Sequence, residues 1–169
     1  MQPAHINTRR VARRIVRLCS LDELSREIDR IEAAAVQRKL RPMGNWLAGQ
    51  VFWHLARFIE LSCDGFPFRY RRGPAWVSRL LRFLSWRSLI RLALRPGFNN
   101  PAEAAVLEPP EEVEFQAAAA YLREQINRIA AGTPMTQAVS AEGPYARDQW
   151  IYVHLRHAEL HLSFLAIES

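Results

Sequence analysis

Apolar residues recur at spacings of three and four along four stretches of this chain, the period of a helix with one buried face. The first stretch opens at Ser20, where Ser20-Leu21-Asp22-Glu23 reads as a capping box, and runs to about Leu40 before Pro42. Its stripe is Leu24, Ile28, Ile31 and Ala35. The second begins after Gly44-Asn45, with Asn45 as N-cap, and ends at Asp64-Gly65. Leu47, Val51, His54, Phe58 and Leu61 form its stripe. The third starts near Pro110-Glu111 and stops at Gly132, presenting Phe115, Ala119, Leu122, Ile126 and Ile129. The fourth runs from about Asp148 to Ile167.

Between the second and third stretches lies a long Arg-rich insert, residues 66–110. Its first half holds Arg69, Arg71, Arg72, Arg79, Arg82, Arg87, Arg91 and Arg95, spread too widely around a helical wheel to leave one clean apolar face. A helix could start there at Pro74. The second half, RPGFNNPAEAAVLEPPEE, is proline-rich and predicts an extended loop. There is no internal repeat, no glycine-rich phosphate loop and no alternating strand pattern. Four helices, each with one apolar stripe, predict an all-α four-helix bundle forming a single domain over residues 1–169.

Composition sharpens this picture in three respects. The net charge is +6, carried almost wholly by arginine, with Lys39 the only lysine. Arginine binds carboxylate and phosphate bidentately, so nucleic acid, an anionic membrane surface and an acidic substrate all stay open. Two cysteines, Cys19 and Cys63, make no CxxC pair, which favours reduced thiols and a cytoplasmic protein. The Arg-rich start, MQPAHINTRRVARRIVRL, lacks the apolar core of a secretory signal, and arginines interrupt every candidate spanning segment.

The fourth stretch carries the most pointed chemistry. Trp150, His154, His157 and His161 fall within a narrow sector of one helical face, while Arg156, Glu159 and Ser163 take the opposite side. A buried imidazole needs a partner for each nitrogen, so several on one stripe suggest a shared metal ion. His157 and His161 stand one turn apart and can grip one ion; His154 and His161 are roughly 10 Å apart along the axis and cannot both join it. A third ligand must come from another helix, and His54, central on its own stripe, is the candidate. Against this stands the ordinary fate of a core histidine, a hydrogen bond and nothing more, which is the default for His154. His5 lies in a terminal tail and carries no expected role. Glu60 sits off the His54 stripe and reads as solvated, Cys63 as inert filler, and Trp46, Trp53 and Trp150 as core packing.

At these residues the sequence resembles a known group. GNWLAGQVFWHLA, DGFPF and the closing RDQW with LRHAELHLSFL are similar to an uncharacterised branch of the DinB-like superfamily, which also holds YfiT-type proteins and thiol-dependent transferases. The resemblance runs from about Arg9 to Leu165. It implies a bundle of DinB/YfiT type with a divalent metal held by three histidines, matching His54, His157 and His161. It also implies an enzyme that uses the ion to activate a low-molecular-weight thiol or water, as a transferase or hydrolase. Imidazole suits several ions, zinc or nickel foremost and iron as an alternative. Apart from the resemblance, His154, one turn from the pair, could orient a ligand or move a proton, although simple packing in the core is its default. Superfamily bundles often pair, so a homodimer is expected by analogy.

Two other readings differ in class. The insert, with Trp76, Phe83 and Trp86 among its arginines, could bind an anionic membrane surface or nucleic acid without catalysis. Its arginines fail to segregate to one face and match no nucleic-acid motif, which places that reading second. It could instead gate the histidine site and hold an anionic substrate. A third reading is a structural bundle whose histidines bond to each other and to buried water.

Overall fold

The computed structural model describes residues 6–67, 87, 94–97, 102–135 and 145–168. Among these, four α-helices, α1 (Leu21–Val36), α2 (Ala48–Asp64), α3 (Phe115–Ala130) and α4 (Arg147–Leu162), carry the fold. A 3-10 helix (Ala102–Leu107) precedes α3, and two short strands, β1 (Leu40–Pro42) and β2 (Leu165–Ile167), complete it. The architecture is all-α, as the periodicity predicts. His5 and most of the insert, including Pro74, Trp76, Phe83, Trp86 and its arginines other than Arg87 and Arg95, lie outside the described residues.

Local chemistry sets the helix ends and moves several from their expected places. Ser20 Oγ accepts the Glu23 N–H at 3.2 Å, but the Glu23 carboxylate reaches back to the Cys19 N–H at 2.6 Å, one residue earlier than a standard box. Helix α1 stops at Val36 rather than near Leu40. Arg38 adopts a left-handed conformation (φ 56°), and Lys39 N–H returns to Ala34 O at 2.9 Å while Arg38 N–H returns to Ala35 O at 3.0 Å. This is a Schellman closure achieved without glycine. The freed segment pairs antiparallel with β2, Leu40 opposite Ile167 and Pro42 opposite Leu165. The tail expected to continue the last helix is therefore a strand.

Asn45 does not cap α2. Its side-chain oxygen accepts the Ile6 N–H at 2.8 Å and its amide donates to Ile6 O at 3.1 Å, tying down the N-terminal segment. Leu47 becomes the N-cap residue, its N–H donating to Gln50 Oε1 at 2.9 Å, and lies 63% exposed rather than on the buried stripe. The Glu114 carboxylate caps α3 through the N–H groups of Gln116 and Ala117, so that helix starts later than Pro110-Glu111 suggests.

Helices α1 and α2 each pack against both α3 and α4, with α2 on α3 the most extensive contact among the described residues. The apolar stripes meet in one core that includes Leu24, Ile28, Phe52, Leu122, Ile129, Trp150 and Leu162. Gly49 permits the closest approach of α2 to the start of α3: a Cβ there would sit 2.6 Å from Val113 O. Helix α4 is central and not two-faced as expected. Its polar side lies beneath the N-terminal segment, where Leu18 N–H donates to the Glu159 carboxylate at 2.7 Å and Arg14 N–H to Ser163 O at 3.2 Å. Burying both sides leaves its histidine stripe aimed at α2.

Candidate metal centre

Helices α2 and α4 bring His54, His157 and His161 together, with one ring nitrogen from each lying within 4.8 Å of the others. His54 and His157 are buried and His161 is half-buried. His54 Nε2 lies 3.1 Å from His157 Nε2. With metal–imidazole bonds of about 2.0–2.1 Å, two nitrogens on neighbouring positions of one ion stand roughly 3.0–3.4 Å apart. That pair already has the spacing of co-ligands, and the remaining gap needs only a modest ring movement. The three histidines could hold a metal ion.

The tautomer of His54 follows from its other nitrogen. Nδ1 lies 2.7 Å from Leu107 O, a carbonyl that can only accept, so Nδ1 carries the proton and Nε2 presents its lone pair to the cluster. An N–H to carbonyl bond behind a histidine is the usual device for orienting a ligand ring. The carbonyl belongs to the last residue of the 3-10 helix, in a stretch expected to be extended loop. Sequence reasoning missed it because a main-chain acceptor has no residue signature.

Burial removes water from all these rings and disfavours the imidazolium form. His54 titrates below its usual range because burial outweighs the opposing hydrogen bond to Leu107 and the charge of Glu108. His157 is held well below, by burial first and then by the neighbouring His161, His54 and His154; His161 likewise, by burial and then His54. At neutral pH the cluster offers unprotonated nitrogens, the form that ligates.

Aromatic rings wall the site. Trp46 stacks on His161 (centroids 5.4 Å, 12° between planes) and lies 4.8 Å from His54, while Phe58 packs edge-on against His157 at 4.6 Å. His154 faces the same core and has its own hydrogen-bond partner, the ordinary fate of a core histidine. Ser62 Oγ donates to Ile59 O at 2.6 Å, so its contact with His154 Nε2 at 3.1 Å is a bond donated by the imidazole. That leaves the Nδ1 lone pair of His154 buried and without a hydrogen-bond partner. Burial lowers this histidine's pKa to about 3.

Glu60 departs from expectation, while Cys63 is as inert as expected. Glu60 is not a solvated flank: it pairs with Arg57 and accepts the Tyr121 hydroxyl at 2.6 Å, linking α2 to α3. Cys63 is half-buried and its thiol is pushed up by burial, so it is no ready nucleophile.

An all-α bundle with a histidine cluster able to hold an ion between two helices is the class of protein these features define. The chain belongs to DUF1569, a protein family of unknown function, whose family model matches residues 11–168. Neither the curated proteins nor the solved structures contain a match to it. No helix among the described residues is long and apolar enough to cross a membrane.

Proposed function

We propose that this protein is a metal-dependent enzyme of DinB-like type, with His54, His157 and His161 as the protein ligands of a divalent ion, zinc or nickel foremost. The observation that carries the reading is the pairing of His54 and His157 through Nε2 while His54 Nδ1 is committed to Leu107 O. A ring oriented from behind, with its free lone pair turned to a second and third imidazole, is the donor set of an open three-histidine site. Such an ion supplies Lewis acidity that makes a nucleophile of a low-molecular-weight thiol or of water at neutral pH.

The chain's own residues contribute orientation and exclusion of solvent. Trp46 and Phe58 cover the histidines with apolar surface, which strengthens electrostatic interactions inside. His154, held by Ser62, presents a neutral acceptor one turn from His157 that can orient a ligand's N–H, O–H or S–H. Burial pushes the Cys63 thiol up, which supports a reading in which the thiol of a transferase reaction comes from a cosubstrate.

Metal analysis of the purified protein beside His54→Ala and His161→Ala variants tests the assignment. The expected result is one equivalent of ion in the wild type and a loss of most of it in each variant. Variants that keep full metal content would overturn the ligand assignment. A metal-loaded protein would then be assayed with small thiols and electrophiles against water alone, which separates transferase from hydrolase.

A further inference from the structure

On the side of α4 turned away from the histidines, a cavity of about 630 Å³ opens between that helix and the N-terminal segment. Arg13, Arg14, Arg17, Arg156, Glu159 and Ser163 supply its polar lining. Two of the arginines are neutralised in place. Arg14 pairs with Glu27 and donates through Nε to Leu165 O at 2.6 Å; Arg156 pairs with Glu159 at 2.7 Å. Arg13 and Arg17 have no carboxylate partner among the described residues.

Arg13 is nevertheless held in position. Its Nη1 donates to Ser163 Oγ at 3.1 Å, and that hydroxyl spends its own proton on Leu160 O at 2.6 Å. The guanidinium also lies over the Phe164 ring, 5.1 Å from its centroid. Arg17 Nη1 donates to Val16 O at 3.1 Å, which anchors one nitrogen and leaves the rest of the fork available. Arg156 is engaged further: its Nη2 also donates to Leu18 O, and its guanidinium lies over the Tyr152 ring, 5.1 Å from the centroid. Arg13 and Arg17 thus stand at the cavity as two cations without a carboxylate among the described residues, in position to pair with an anion.

We propose that this cavity binds a small organic anion bearing phosphate or carboxylate groups, gripped by Arg13 and Arg17. Shape selects a small ligand over a polymer or bilayer. The space is concave, with Leu94 and Pro96 lining it as well, and its volume falls in the range of about 300–1,000 Å³ typical of small-molecule sites. The site shares no residue with the histidine cluster, so it stands or falls apart from the metal reading.

Calorimetric titration of the full chain at low ionic strength with inorganic phosphate, pyrophosphate and citrate tests the proposal. Parallel arms use phosphatidylglycerol vesicles and duplex DNA. Saturable one-to-one binding of a small anion is expected, weakened at least about tenfold in the Arg13→Gln/Arg17→Gln double variant and unchanged in Arg26→Gln and His54→Ala. Preference for pyrophosphate or for citrate assigns the headgroup chemistry. Absence of saturable binding by all three anions, equal binding in the double variant, or binding confined to vesicles or DNA would each overturn it. Should the double variant lose its fold by circular dichroism, Arg17→Gln alone, at an exposed residue bonded only to a neighbouring carbonyl, is read against the same criteria with a smaller expected loss.

Discussion

The Nδ1–H of His54 donates to the carbonyl of Leu107 at 2.7 Å, across 53 residues of sequence. One main-chain oxygen thereby decides which nitrogen of His54 faces His157 and His161, and so whether three imidazoles form a ligand set or a packed cluster. If the 3-10 helix is a supporting element of the metal centre, disturbing it should weaken metal binding while all three histidines remain. Ala104 is fully buried there. Ala104→Leu overpacks that point and should lower metal affinity about 10- to 100-fold in a chelator competition, the usual cost of losing a supporting bond. Unchanged affinity would show that the Leu107 carbonyl is dispensable.

Ser62 and His154 form a separate buried pair at 3.1 Å. Ser62→Ala removes the acceptor and strands the imidazole N–H in the core, which should cost about 1–3 kcal/mol in denaturant unfolding. Metal content should be unaffected, since Ser62 touches no member of the triad in the hydrogen-bond network. A concurrent loss of metal would place His154 in the centre itself.

Buried neutral histidines also set the response to acid. The folded protein keeps His154 unprotonated down to a pKa of about 3, whereas the unfolded chain takes up that proton near the usual 6.5. Below 6.5 the unfolded state therefore binds more protons, and stability falls as pH falls, by about 1.4 kcal/mol per pH unit for each such histidine. His54, His157 and His161 are shifted in the same direction. Melting temperature should be level above neutrality and drop steeply between pH 6.5 and 5. A profile flat to pH 4.5 would show that these rings reach solvent.

At Gly49 the test is steric. A Cβ would lie 2.6 Å from Val113 O and 3.3 Å from Phe115 Cα, both backbone atoms that cannot rotate away. Gly49→Ala should destabilise the protein by about 1–3 kcal/mol despite alanine's better helix propensity. A neutral or stabilising effect in thermal melts would mean that α2 and α3 can separate at this end without cost.

Much of the helical frame was legible from periodicity. The stripes around Leu24–Ile31 and Ala119–Ile129 are buried as their spacing predicts, because side chains on one helical face share one environment. Helix ends were less legible. Arg38 closes α1 in a conformation usually reserved for glycine, and Asn45 spends its cap-forming side chain on Ile6, choices that depend on what lies alongside. The strands at 40–42 and 165–167 carry too few residues to show a period at all.

On its own, the order of residues determined that His157 and His161 share a face one turn apart, that His54 sits on the inward stripe of another helix, and that the bundle is all-α. These follow from the regular rise and rotation of a helix, which any local stretch contains. Only the tertiary structure decided that His54 meets His157 at 3.1 Å, that Leu107 orients it, that Ser62 takes His154, and that arginines of the N-terminal segment close a cavity against α4. Hydrogen bonds and charge clusters between remote segments depend on how whole elements dock, and no local spacing encodes that.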